Sequence, residues 1–244
     1  MTPDEARARL LGLGLDADAA EVMFDHFADS ERRGKLGHGF SRIPWLETQG
    51  FDLAARPVKG ASSGGVEHWD ANGALGYLTL AAICDDVIRE EVVGAKLIVA
   101  SGCFPTGALG YWARRIAAAG HLAVLTATSP PRLPPPSGGE PLTGTNPLAI
   151  AIPSSDGEPL VSDVSMGAVT HGDVIAGRAR PEELVPFGGE LAHKAFALAV
   201  GLELFVSALA GPSHSAVLLV ARPEHDVVPG FKALADGVRL PGDS

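Results

Sequence analysis

The chain is poor in several things, and each shortage excludes something. Two cysteines in 244 residues, Cys84 and Cys103, make neither a disulfide framework nor a metal-ligand spacing. A reducing cytoplasm is therefore the expected compartment, with no bound metal. Basic residues are outnumbered, 19 Lys+Arg against 29 Asp+Glu, for a formal net charge of −10. Nucleic acid is thereby excluded as the main partner, because neutralising phosphates needs a basic surface. An anionic cofactor would need locally placed cations and backbone N–H groups. Every apolar stretch is broken by Gly, Ser, His or a charged residue before about 18 residues, so no membrane span is expected. Residues Met1-Thr2-Pro3-Asp4-Glu5-Ala6 lack the basic and apolar pattern of a secretory signal. The Rossmann glycine fingerprint, the P-loop and the serine nucleophile elbow are all missing; Gly64-Gly65 has neither glycine spacing.

What remains is a globular α/β composition, 46% hydrophobic with 30 glycines. Thr2, Pro3 and Glu5 have capping-box spacing and open a helix that Gly12 and Gly14 stop. Asp16–Ser30 reads as a second helix with Ala20, Val22, Met23 and Phe27 on its apolar face. Ile43–Ala61 reads as a helix and a short strand, Val66–Asp70 as a strand, Leu75–Glu91 as a helix. Strand 95–100, helix 107–119 and strand 122–128 give the strand–helix–strand rhythm of an α/β protein. Pro130–Gly139 reads as a linker or, preferably, as an ordered loop between closely flanking strands. Leu148–Ile152 and Leu160–Val164 form a pair around a hairpin-type turn. Leu191–Leu209 is a long apolar helix, Ala216–Ala221 a strand, and the tail from Pro223 is mostly loop.

Five segments carry candidate chemistry. In Gly144-Thr145-Asn146-Pro147 small residues let a backbone approach a bulky ligand, and the Thr and Asn side chains either bond that ligand or brace the loop. His38 stands between two glycines and can exchange a proton near neutral pH. Arg42, four residues on, would share a helix face with it and hold a carboxylate. The plainer alternative is a turn histidine and a solvated arginine. Asp163 ends a strand, where a carboxylate can orient a histidine or serve as an ordinary cap. Gly188-Gly189 precede a long helix whose N–H groups, with Lys194, suit an anion. Cys103 sits in a strand-to-helix loop of the kind that carries ligand sites, or is a small buried thiol.

In their order, Gly37-His38-Gly39-Phe40-Ser41-Arg42-Ile43-Pro44, Asp70-Ala71-Asn72-Gly73-Ala74-Leu75-Gly76, Gly107-Ala108-Leu109-Gly110-Tyr111, Gly144-Thr145-Asn146-Pro147, Asp163 and Phe187-Gly188-Gly189 with His193-Lys194 resemble the type 2 malate/L-lactate dehydrogenase family. That family includes ureidoglycolate and sulfolactate dehydrogenases and Δ1-piperideine-2-carboxylate reductases. The resemblance implies a non-Rossmann, mixed-sheet α/β fold of the L-sulfolactate dehydrogenase-like type. Residues 1–62 would form an N-terminal helical region, with 210–244 packing on it, and 63–209 a cofactor-binding domain. It further implies an NADPH- or NADH-dependent enzyme acting on a small carboxylate substrate, a 2-oxo or cyclic 2-imino acid. The enzyme would be a homodimer with sites near the interface. His38 would be the proton donor, Asp163 its orienting charge, and Arg42 and Lys194 the substrate-binding cations. Thr145, Asn146, Val164, Ser165, Gly188 and Gly189 would bind the cofactor.

The chain also departs from the family pattern. Gly37 replaces the usual Ser. Ser101-Gly102-Cys103-Phe104 replaces an Asn-Ser-x-His-Phe-Gly run, which places Cys103 at a position tied to proton transfer, although a thiol is mostly protonated at pH 7. The stretch from Asp163 to Phe187 and the tail are shorter than usual. Two other readings follow from these departures: a repurposed scaffold performing non-redox cyclisation, elimination or proton transfer on a small acid, and a non-catalytic binding subunit.

Overall fold

Local sequence signals set most of the elements in the computed structural model, which describes residues 1–90 and 92–242. Helix α1, Pro3–Gly12, is opened by the expected capping box: the Glu5 N–H donates to Thr2 Oγ1 and the Thr2 N–H to the Glu5 carboxylate. Helix α2, Ala17–Arg32, is capped by Asp16 and buries Met23, Phe24, His26 and Phe27. After a 3-10 turn at Leu36–His38 come α3, Arg42–Glu47, then β1, Val58–Ser63, and β2, Val66–Asp70. The order continues with α4 (Gly76–Arg89), β3 (Ala95–Ser101), α5 (Leu109–Ala118), β4 (Leu122–Ala127), β5 (Leu148–Ile152), β6 (Leu160–Val164), α6 (His171–Ile175), α7 (Ala192–Ala210), β7 (Ala216–Ala221) and α8 (Val228–Leu234). Glu91, expected to end the fourth helix, lies outside the described residues.

The strands form one mixed seven-stranded sheet in the order β1-β2-β3-β7-β4-β5-β6. Among the described residues, only β2 and β3 pair in parallel; every other strand pair is antiparallel. The α/β class and the mixed, non-Rossmann sheet expected from the sequence are therefore what the chain adopts. Helix α5 packs on β4, β5 and β6 and touches α4 and α2, and α7 lies against β3, β4 and β7. One continuous core joins α1, α2 and α3 to α4, α5 and the sheet through Phe27, Ile43, Tyr77, Leu109 and Trp112.

Residues 210–244, expected beside the N-terminal helices, divide instead. β7 lies at the centre of the sheet, bonded to β3 and β4, and the chain after it is mostly loop, as expected, around the short helix α8. The far end returns to the N-terminal helices, where the Arg33 guanidinium donates to the Gly242 carbonyl at 3.0 Å. Pro130–Gly139 is an ordered loop: Leu133 is fully buried, and the Arg132 and Leu133 N–H groups both donate to the Thr143 carbonyl. The carboxylates Glu67, Asp86 and Glu90 converge on the other edge of the sheet, and ammonium groups neutralise them. Lys59 lies 2.6 Å from Asp86 and 2.8 Å from Glu90, and Lys96 lies 2.7 Å from Glu90.

Helix α7 differs from the expectation in one respect. With the turn before it, Gly189–Ala210 is long and apolar enough to cross a membrane, and most of it is exposed. Its small residues Ala195 and Ala199, with Val206, face the protein, while Leu198, Leu204 and Phe205 point outward.

Candidate active site

A cleft of about 330 Å³ opens between the 34–38 turn, the 104–109 loop, the ends of β4 and β6, and α6. His38, Arg42, Thr145, Asp163 and Ser165 all line it, although more than a hundred residues separate the first from the last.

The His38 turn is held rigidly. Its N–H donates to the Lys35 carbonyl at 2.8 Å, Ser41 Oγ donates to the Leu36 carbonyl at 2.7 Å, and the Phe40 N–H donates to Glu31 at 2.9 Å. His38 and Arg42 do not share a helix face as expected: His38 closes the 3-10 turn and Arg42 opens α3. They meet across the cleft instead. Arg42 is buried, with its guanidinium carbon 3.9 Å from the Trp45 ring centroid, a cation–π arrangement that fixes the fork.

Asp163 lies opposite Ala149 in the β5–β6 register, and Gly110 leaves room for its carboxylate, since a Cβ there would meet it at 2.8 Å. Its Oδ2 accepts a hydrogen bond from Lys35 Nζ at 2.5 Å rather than from the imidazole. Asp163 therefore acts on His38 through charge. Packing lowers the His38 pKa to about 4; Asp163 opposes that fall, Arg42 and Lys35 add to it, and Asp173 opposes it. Free of ligand, this imidazole is neutral at pH 7.

Several lining residues carried no motif that sequence reasoning could find. Lys35 is the partner of Asp163. Arg132 arrives on the ordered proline loop. His171 and Asp173 arrive on α6, whose capping box is closed by Thr170 and Asp173 at 3.1 Å. The Thr-x-x-Asp spacing of that box was the one signal available. Burial, with Arg132 and Arg42 adding, lowers the His171 pKa to about 4. Tyr77 is fully buried in the cleft floor beside His26.

The remaining expected residues stand elsewhere. Asn146 is buried with φ 32° and donates to the Ala199 carbonyl at 2.9 Å and to Glu203 at 2.7 Å. It thus ties the Thr145 turn to α7 rather than facing the cleft. Val164 is exposed on the next position of β6. Cys103 is fully buried, with its Sγ against the Gly76 carbonyl at 3.8 Å, and burial pushes its thiol pKa up. It behaves as the small core residue, because a protonated thiol off the cleft cannot meet a substrate. Gly188, Gly189 and Lys194 are exposed at the start of α7 and are not among the residues lining this chain's cleft.

Residues 3–184 match the malate/L-lactate dehydrogenase family, and the chain belongs to it. It is 30% identical over 190 residues to the (2R)-3-sulfolactate dehydrogenase (NADP(+)) of Chromohalobacter salexigens, covering 76% of this chain and 57% of that protein. It is 29% identical over 232 residues to the Δ1-pyrroline-2-carboxylate/Δ1-piperideine-2-carboxylate reductase of Pseudomonas syringae pv. tomato, covering 83% and 67%. The chain thus spans little more than half the length of some curated relatives it matches. The crystal structure of Δ1-piperideine-2-carboxylate reductase from P. syringae superposes with a TM-score of 0.84 at 25% identity, over 99% of this chain and 89% of that one. Sulfolactate dehydrogenase from Methanocaldococcus jannaschii shares the fold at a TM-score of 0.79 and 16% identity.

Proposed function

We propose that the protein is an NADPH- or NADH-dependent oxidoreductase that reduces a 2-oxo acid or a cyclic 2-imino acid, and reverses that reaction. One observation carries the reading: a histidine, an arginine with no carboxylate partner among the described residues and a charged aspartate converge in one cleft with the Thr145 and Ser165 hydroxyls. The relatives named above supply the reaction class.

The cleft suits a nicotinamide end and a small acid: it offers hydroxyls at Thr145 and Ser165, a neutral imidazole and cationic forks, within the volume range of small-ligand sites. When bound, the nicotinamide supplies or accepts the hydride at the substrate's C2. Arg42 holds the substrate carboxylate beside that carbon. His38 gives a proton to the oxygen or nitrogen as its double bond to C2 is lost, and takes that proton back in oxidation. Its low pKa suits the accepting role at pH 7 as the site stands. Asp163 and Asp173 favour the imidazolium needed for reduction. Lys35 holds Asp163 in place.

We further propose a homodimer built on α7. Its outward Leu198, Leu204 and Phe205 form an apolar face, and a second copy would bring Gly188, Gly189 and Lys194 toward a neighbouring cleft. Phe205→Glu is then expected to convert dimer to monomer by light scattering; an unchanged mass would reject α7 as the interface.

The function is tested by titrating NADPH and NADH by fluorescence and by assaying 2-oxo and cyclic 2-imino acids. Micromolar binding of one nucleotide is expected, and His38→Ala should lower kcat by about 10²–10⁴-fold with nucleotide affinity retained. No binding of either nucleotide would overturn the redox reading, and an unchanged rate would remove His38 from it.

A further inference from the structure

Lys35 and His38 stand at the two ends of one closed turn. The Lys35 N–H donates to the Ser30 carbonyl at 2.8 Å, and the Lys35 carbonyl accepts the His38 N–H at 2.8 Å. Positions three apart in a 3-10 turn lie on the same side, and both residues line the cleft. Asp163 meets them there from β6. Its side chain is 10% exposed, and a carboxylate that deeply placed needs a counter-charge or hydrogen-bond donors. The turn brings two candidates, the Lys35 ammonium and the His38 ring. The ammonium holds the carboxylate, at 2.5 Å. Among the described residues the His38 ring has no hydrogen-bond partner.

The other charges around His38 are engaged elsewhere. Asp173, on α6, accepts from the Thr170 N–H at 3.1 Å and from its hydroxyl at 2.6 Å. Arg42, on α3, is stacked on Trp45. His26, on α2, accepts the Ala108 N–H. Tyr77 of α4, His171 of α6 and Arg132 of the proline loop complete the titratable lining. Asp163 is walled in on a further side: a Cβ on Gly110, in the first turn of α5, would lie 2.8 Å from its Oδ2. The carboxylate therefore rests between α5 and the ammonium.

We propose that Lys35 is a positioning residue for His38: by holding the Asp163 carboxylate it withholds a hydrogen bond from the imidazole and leaves both ring nitrogens open to substrate and solvent. The consequence rests on the function proposed above. A ring open at both nitrogens takes the hydroxyl proton of a substrate on one and releases its own proton to water from the other. A ring tied to Asp163 has one nitrogen fewer for that exchange.

Nitrogen-15 histidine NMR on the ligand-free protein tests this, with the His38 signal assigned by its loss in His38→Gln. In Lys35→Met the carboxylate loses its counter-charge and turns to the ring. The His38 midpoint should then rise by about one to three pH units, as an opposite charge in contact produces, and the neutral ring should hold its proton on a single nitrogen. Lys35→Arg should restore the unaltered midpoint. Losing a positive charge would by itself raise the midpoint, so the comparison is repeated in Asp163→Asn, where Lys35→Met should move it far less. An unmoved midpoint in Lys35→Met would overturn the proposal. So would an equal rise with and without the Asp163 carboxylate, which would make Lys35 a remote charge only. Lys35→Leu replaces Lys35→Met if the latter does not fold. No nucleotide enters these titrations, so a failure to bind NADPH or NADH would remove the redox function and leave the Lys35 result to be read on its own.

Discussion

His26 makes the fold sensitive to acid, by an amount the structure sets. Its ring is fully buried, stacked on Trp112 at 5.4 Å and edge-on to Tyr77 at 5.0 Å. Nε2 accepts the Ala108 N–H at 2.9 Å, which pins the 104–109 loop that lines the cleft. An accepting Nε2 requires the neutral ring with its proton on Nδ1. Burial first, and the neighbouring His38 second, lower the pKa from 6.5 to about 3. The unfolded chain takes up this proton as pH falls through about 6.5, and the folded chain does not until about 3. The stabilisation is thus complete above the unfolded value and is lost as pH falls between the two, by about 1.4 kcal/mol per pH unit. From pH 7 to pH 5 the loss from this one ring is about 2 kcal/mol, a large share of a typical folding free energy. Denaturant unfolding at fixed chain concentration and both pH values measures it. His26→Gln keeps an acceptor for the Ala108 N–H and cannot titrate, so its loss between pH 7 and 5 should be smaller than that of the unaltered protein by about 2 kcal/mol. Equal losses in the two proteins would refute the assignment of a neutral, buried His26.

Two further outcomes follow from packing. Gly172→Ala would place a Cβ inside the contact radius of the Gly37 carbonyl oxygen; overpacking of this kind costs about 1–3 kcal/mol. A fall in Tm of about 2–4 °C per kcal/mol is expected in a chain of this size, with kcat/KM falling as His171 and Asp173 shift, and an unchanged Tm would contradict the tight α6 contact. Cys103→Ala should leave kcat within about twofold, and a thiol reagent should label Cys103 and Cys84 only after unfolding, since both are buried. A loss of turnover beyond tenfold would return Cys103 to the chemistry.

Much of the fold was legible because its signals are local. Thr2, Asp16 and the glycines after α1 and α5 mark helix ends, and the apolar runs of β3, β4, β5 and β7 could be placed within a residue or two. The place of β7 was not legible. Nothing in Ala216–Ala221 says that it inserts between β3 and β4, because strand order is a product of long-range pairing. Within the site, His38, Arg42, Thr145 and Asp163 were readable from their surroundings of small residues or strand ends. Lys35, Arg132 and His171 were not, because a single polar residue in a turn, loop or short helix looks the same whether it meets solvent or a cleft. Asn146 belongs to a segment that does reach the cleft, yet its own Nδ2 is spent on α7. That contact exists only in the folded chain and leaves no mark on the local sequence.

The two segments expected to depart from the family pattern, Gly37 and the stretch from Asp163 to Phe187, meet in the fold. In the structure that stretch is a tight excursion closed at its neck, where the Met166 N–H donates to the Thr145 carbonyl at 2.8 Å and the Phe187 N–H to the Met166 carbonyl at 3.1 Å. Helix α6 packs onto the His38 turn. The contact is backbone against backbone, at Gly172 and Gly37. A side chain at residue 37 would also collide with Asp173 and Thr170, the pair that caps α6. A serine there would require those two side chains to move. Helix α6 in this position brings His171 and Asp173 to the cleft, an imidazole and a carboxylate.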